Sequence, residues 1–168
     1  MSTIILFLFP LGLVLAASTD LLTMKIPNNL ILYLLGAFAG VALLVQLPLD
    51  QLAMHGVSGA LVLVIGFTLF ALGWIGGGDA KLAAVTALWL GFENGVLVQY
   101  VVYAGLLGGA LTLGILALRG LPLMQVMARH AWIERLHDRK NGVPYGVALA
   151  IAGLLAYSNS TLFERIVG

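Results

Sequence analysis

Six apolar stretches of near membrane-spanning length follow one another along this chain, and nearly every charged side chain falls between them. They are Thr3–Met24, Asn28–Leu47, Leu52–Ile75, Asp79–Phe92, Gly95–Leu118 and Val143–Phe163. A bilayer core about 30 Å thick takes roughly 20 apolar residues per helix. The fourth stretch is short and crosses only where its ends lie in thinned or protein-filled surroundings. Pro27, Pro48, the Gly76–Gly78 run and Asn94-Gly95 mark the breaks with residues that end helices. Apolar residues make up 61% of the chain and charged residues 9%, against about 45–50% and about 25% in soluble domains. No soluble fold of this length hides such a surplus. The pattern predicts an all-α polytopic membrane protein, with 1–168 as a single transmembrane domain of six helices.

Charge then orients the stack. With six crossings, the loops at 25–27, 76–81 and 119–142 share one face. That face holds Lys25, Lys81, Arg119, Arg129, Arg135, Arg139 and Lys140, leaving only Arg165 on the other, beside Asp50, Glu93 and Glu164. Basic residues stay cytoplasmic, so both termini are expected outside and the 119–142 loop inside, in a multi-pass protein of the cytoplasmic membrane. Residues 3–17 end in a faintly signal-peptide-like Val14-Leu15-Ala16-Ala17-Ser18, but no Lys or Arg precedes Lys25, so the segment reads as a permanent helix. A net charge of +1 argues against a nucleic-acid partner. With no cysteine, disulfides, thiolate zinc sites and thiol nucleophiles are excluded. The pairs Gly36/Gly40, Gly105/Gly109 and Gly142/Gly146 read as helix-packing positions. In the long loop, Leu123, Met124, Met127 and Ala131 share one side of a surface helix, a pattern that fails from Glu134 onward.

Two acids stand out against this background. Asp20 lies in Ala17-Ser18-Thr19-Asp20-Leu21-Leu22, and Asp79 in Gly76-Gly77-Gly78-Asp79-Ala80-Lys81. A carboxylate at hydrocarbon depth costs several kcal/mol and is usually kept for chemistry or transport. The predicted topology brings both to the same cytoplasmic boundary. Hydrolysis of a peptide bond needs one group to take a proton from water and another to protonate the carbonyl oxygen or the leaving amine. Two carboxylates sharing one proton do both, because like charges in contact cannot both ionise. The three glycines before Asp79 remove all Cβ bulk, which lets an extended substrate backbone come close, and they put Asp79 near a helix start.

Other candidates are weaker. Lys25 and Lys81 either bias the acid pair or simply snorkel to headgroups, the more routine role. Tyr145, after Pro144, either lines the site or packs at the interface. Glu134 and His137 have the Glu-x-x-His spacing of di-iron helices but stand alone. His55, His130 and His137 make a poor zinc set, and Ser18, Ser58 and Ser158 have no paired base in sequence. No metal or other cofactor is expected.

The string Gly76-Gly77-Gly78-Asp79-Ala80-Lys81-Leu82 resembles the second catalytic motif of the type IV prepilin peptidases, members of the GxGD intramembrane aspartyl proteases. Asp20 followed by Lys25-Ile26-Pro27-Asn28 resembles their first motif, and Val143-Pro144-Tyr145-Gly146-Val147-Ala148 a third stretch on the last helix. The resemblance implies that Asp20 and Asp79 are the catalytic pair and that the substrate is a prepilin or pseudopilin, cut on the cytoplasmic side just before its apolar segment. It also implies a place in pilus assembly or protein secretion. The short form without a cysteine-bearing N-terminal domain is similar to the peptidase-only members serving tight-adherence (Flp-type) pili, so methyltransferase activity is not expected. Leu22 stands where the family often has a basic residue. The resemblance makes Gly76, Gly77, Gly78, Lys25, Lys81, Pro144 and Tyr145 candidate substrate contacts. Other readings are a GxGD protease for archaellin precursors or remnant signal peptides, and a small proton-coupled transporter using the same acids as a relay.

Overall fold

The computed structural model describes residues 2–122 and 131–167. In chain order these form α1 (Ser2–Thr23), α2 (Asn28–Leu44), α3 (Leu49–Ala71), α4 (Gly77–Leu90), a 3-10 turn (Glu93–Gly95), α5 (Val96–Arg119), α6 (Ala131–His137), α7 (Tyr145–Tyr157) and α8 (Thr161–Val167). The described residues are all-helical, with no strand.

The short α4 is the axis of the bundle. Its apolar residues point in every direction, and Ala80, Leu82, Ala84, Val85, Thr86, Ala87, Trp89 and Leu90 are all buried. A helix that is apolar all round must be wrapped by others. Here α3, α7, α2 and α5 all lie against it, while α1 packs on α2 and α7. Small residues set the closest approach. A Cβ on Gly59 would lie 3.0 Å from Leu88 Cβ, and one on Gly66 would lie 3.1 Å from Ala80 Cβ. Glycine at these two positions is what lets α3 run flush along α4.

Aromatic packing and backbone capping hold the far end of α4. Trp89 stacks on Phe9 of α1 at 4.8 Å, and Phe38 of α2 meets it edge-on at 5.7 Å. Its indole N–H donates to the Leu34 carbonyl at 3.0 Å. The carbonyls run out of backbone partners at the end of α4, where the last N–H, that of Gly91, reaches Ala87 O at 2.9 Å, and side chains of α3 supply further donors. His55 Nδ1 donates to Leu88 O at 2.7 Å, and Ser58 Oγ lies 2.7 Å from Ala87 O. The chain then leaves through Gly91 at φ +71, where a Cβ would lie 2.9 Å from the His55 ring.

Among the described residues, three helical segments are long and apolar enough to cross a membrane: Ile5–Thr23, Leu49–Ala71 and Glu93–Arg119. There are four if the bent pair α7–α8 counts as one. Large apolar side chains such as Leu43, Leu106 and Leu113 point outward, 79%, 68% and 70% exposed. On a membrane protein that surface meets lipid. The last apolar stretch, expected as one span, divides into α7 and α8 with a bend of 57° between them. The glycine pairs are also corrected. Cβ positions on Gly36, Gly40, Gly105 and Gly109 would meet nothing within 4 Å, and Gly142 lies outside any helix. Spacing finds small residues on one face but does not tell a packed face from a lipid-facing one. In the long loop, α6 spans Glu134 although the apolar pattern fails there. Leu123, Met124 and Met127 lie outside the described residues.

Trp89→Ala is expected to destabilise the bundle by about 3 kcal/mol, the low end for buried aromatics because lipid rewards burial less than water does. Unfolding midpoints in detergent check this. Trp89→Phe, which keeps the stacking and loses only the Leu34 hydrogen bond, is expected to lose less than half as much.

Candidate active site

Three helix ends meet at the other end of α4: the C-terminal turn of α1 and the N-terminal turns of α4 and α7. Asp20 sits on α1 one turn before its end and is only 5% exposed. The helix stops at Thr23, and Met24 takes the left-handed conformation at φ 57. Arg135 of α6 caps this end by donating from Nη2 to the Leu22 carbonyl at 2.7 Å.

Asp79 is the third residue of α4, with Gly76 just before the helix. Its Oδ2 accepts the Gly76 N–H at 3.2 Å, a bond across one turn that ties the carboxylate to a free donor of the helix start. Asp20 is tied in the same manner to a different helix. Its Oδ2 accepts the N–H of Gly146, the second residue of α7, at 2.8 Å. Asp79 also lies close to that N–H and within direct electrostatic reach of Asp20. The two acids, far apart in sequence, therefore come to lie near one another at the start of α7, with Asp20 alone hydrogen-bonded to the Gly146 N–H.

Absent side chains make the convergence possible. A Cβ on Gly146 would lie 2.8 Å from both Asp20 Oδ2 and Ile26 Cδ1. One on Gly78 would lie 3.2 Å from Ile26 Cβ, and one on Gly76 would lie 2.8 Å from Asp79 Oδ2. A Cβ on Gly77 would lie 3.3 Å from the Phe70 ring. The room that these glycines create is thus taken by the protein's own side chains. Ile26 is the wedge between the starts of α4 and α7. Just after it, Pro27 at φ −70 and ψ 141 leads into α2, and Asn28 Oδ1 accepts from Lys81 Nζ at 3.0 Å. The three sequence stretches singled out above interlock: Asp20 with Gly146, Ile26 with Gly78 and Gly146, Asn28 with Lys81.

Tyr145 and Pro144 enter beside the acids. Pro144 is fully buried. The Tyr145 ring packs on Gly108, and its hydroxyl donates to the Ala104 carbonyl at 3.0 Å. Asp79, Tyr100 and Tyr145 line a cavity of about 250 Å³ that is otherwise apolar. Lys25 is exposed, and Lys81 is engaged with Asn28 rather than with a carboxylate.

Sequence reasoning did not single out Gly146 as a donor, nor Tyr100, Ile26 or Arg119. Gly146 had shown only as a small residue paired with Gly142 and as a member of the third resembling stretch. Arg119, counted for topology, is buried at 8% exposure and donates to Leu136 O at 2.8 Å, Asn141 O at 3.0 Å and Gly142 O at 2.8 Å. Its planar fork suits several carbonyls at once. It fixes the segment that delivers Pro144, Tyr145 and Gly146. No local signal in the sequence marks it. His55 and Ser58 are neighbours, but both serve the opposite end of α4. Among the described residues, no group of three or more His, Cys, Asp or Glu could hold a metal ion.

Gly146→Ala is expected to cost about 1–3 kcal/mol, because its methyl forces the Asp20 carboxylate and Ile26 to shift. In an Asp20→Ala background the same change is expected to cost measurably less. Additive melting shifts from the double-mutant cycle would show that Gly146 is not coupled to Asp20.

A family model described as the type IV leader peptidase family matches residues 7–117, which takes in both Asp20 and Asp79. No curated protein and no solved structure matches the chain. A match over more than half of its length, holding both of the acids that the fold brings together, shows that the chain belongs to the type IV leader peptidase family.

Proposed function

We propose that the protein is a membrane aspartyl endopeptidase that removes the leader from type IV or Flp-type prepilins, or from pseudopilins, at the cytoplasmic membrane face. The observation that carries this reading is the meeting of Asp20, hydrogen-bonded to the Gly146 N–H, with Asp79 at the neighbouring start of α4. Two carboxylates in reach of one another share a proton, and that proton is what the reaction moves. The ionised partner takes a proton from water as its oxygen attacks the scissile carbonyl, and the protonated partner donates to the carbonyl oxygen. Collapse of the tetrahedral intermediate returns a proton to the leaving amine. No covalent enzyme intermediate is required.

The surroundings favour such chemistry. Among the described residues the acids are held by helix-start N–H groups rather than by lysine or arginine, so no neighbouring cation there favours loss of their shared proton. Each carboxylate keeps a fixed orientation through one backbone donor, which is the positioning that general acid–base catalysis demands. The same reading has six crossings with both termini outside. In it α4 crosses inside a jacket of protein and α2 makes a short crossing, while seven basic residues stay on the cytoplasmic side. Methyl transfer to the new N-terminus is not part of it.

Asp20→Asn and Asp79→Asn are each expected to lower cleavage of a prepilin in detergent by at least about 10²–10⁴-fold, with expression and melting temperature kept. Retained cleavage by Asp79→Asn would defeat the assignment. The wild-type rate is expected to follow a bell-shaped pH profile, since the active pair carries a single proton and is lost on both sides. A profile that rises to a plateau with no acid or alkaline limb would count against a shared proton.

A further inference from the structure

We propose that the groove between α3 and α5 receives the apolar side chains of a peptide substrate that enters sideways from the bilayer. The proposal rests on the peptidase reading and names where its substrate lies. α3 and α5 both flank α4 but do not pack closely on each other. The gap between them is the cavity of about 250 Å³ described above, with Asp79 at its polar end. Along α3 its wall runs from Leu69 back to Val62, which at 1.5 Å per residue is about 10 Å. On the other side stand Val101 and Gly105 of α5.

One feature distinguishes this groove from an ordinary lipid-facing crevice. It ends on one of the two acids, so whatever fills it is presented to the reacting centre. Tyr100 is 1% exposed in its floor, with its hydroxyl close to the neighbouring Thr86 hydroxyl and closed off from the groove. The Tyr145 hydroxyl is already committed to Ala104. A second and larger groove of about 410 Å³, on the other side of α3, is lined by Gly56, Leu63 and Leu88 and reaches no carboxylate. Size and greasiness are therefore not what mark the α3–α5 groove. The carboxylate is.

The volume also sets what can enter. A helix with its side chains is about 10–12 Å across, so the cavity takes a few side chains and not a helix body. The occupant is thus an apolar membrane segment lying against the gap, with the side chains next to its cleaved end inserted. Gly105 suits that contact, because a Cβ there would meet nothing within 4 Å. A side chain at this position projects into the groove without disturbing the packing.

The chain contains no cysteine, so single cysteines report contacts cleanly. Gly105→Cys and, as a control in the larger groove, Gly56→Cys are made in an Asp79→Asn background. Gly56 is equally open, with nothing within 4 Å of its Cβ position. The probe is a synthetic peptide with a short lysine-containing leader, a roughly 20-residue apolar helix and one cysteine in the first turn of that helix. Under a mild oxidant in proteoliposomes, the disulfide is expected to form at least about tenfold faster at position 105 than at 56. Equal rates would mean that lipid fills both grooves and would overturn the proposal. In the active protein, Gly105→Leu is expected to raise KM for this peptide about tenfold, while Gly56→Leu leaves it unchanged. An unchanged KM for Gly105→Leu overturns the proposal as well. Cross-linking needs no turnover, so a failure of wild-type cleavage strikes the peptidase reading while the contact at Gly105 is still read.

Discussion

A single backbone N–H, that of Gly146, holds the candidate site together. It is the point where a carboxylate from the end of α1 meets the start of α7, and Asp79 at the start of α4 lies beside it. A side chain on Gly146 would close that meeting by occupying the space of Asp20 and Ile26. Segments from the beginning, middle and end of the chain must therefore be packed before either acid has its surroundings. The site is a product of the bundle, and no local stretch carries it.

The bundle is shaped to allow this. In lipid, helices gain little from hiding apolar surface and associate through close packing and a few polar contacts. The glycines of α3 and the alanines of α4 provide the close packing, and His55, Ser58 and Trp89 provide the polar contacts at the far end of α4. With that end anchored, the opposite end is free to carry strained and polar features: a left-handed Met24, two acids and three interrupted helix ends. Two arginines near this end are used on backbone carbonyls. Arg119 holds the approach to α7 and Arg135 caps α1, so positive charge near the acids serves to fix the chain rather than to neutralise them.

Much of this was legible in the residues, and the places where it was not are instructive. Hydropathy located α1 to α5 to within a few residues, because apolar length is a property of the chain alone. The last stretch misled, since the Ser158–Ser160 break carries no proline or glycine to announce a bend. The paired glycines misled in the other direction: Gly36/Gly40 and Gly105/Gly109 have packing spacing yet face outward, whereas Gly59, Gly66 and Gly108 do the packing. Asp20 and Asp79 were conspicuous because an acid in an apolar run is costly, and the fold does bring them together. Ile26 gave no such signal. A lone isoleucine before a proline reads as an ordinary loop residue until two glycines are found facing it.

What the amino-acid sequence determined by itself is the material: an all-helical, lipid-compatible chain, the positions of its breaks, and two acids whose presence in such a chain demands a use. Those follow from transfer energies and backbone stereochemistry, which act residue by residue. What only the tertiary structure decided is which groups meet. The Gly146 donor, the Ile26 wedge, the Arg119 brace and the gap between α3 and α5 all depend on distances between segments remote in sequence. Such distances are set by the packing of the whole bundle around α4, and no window along the chain contains them.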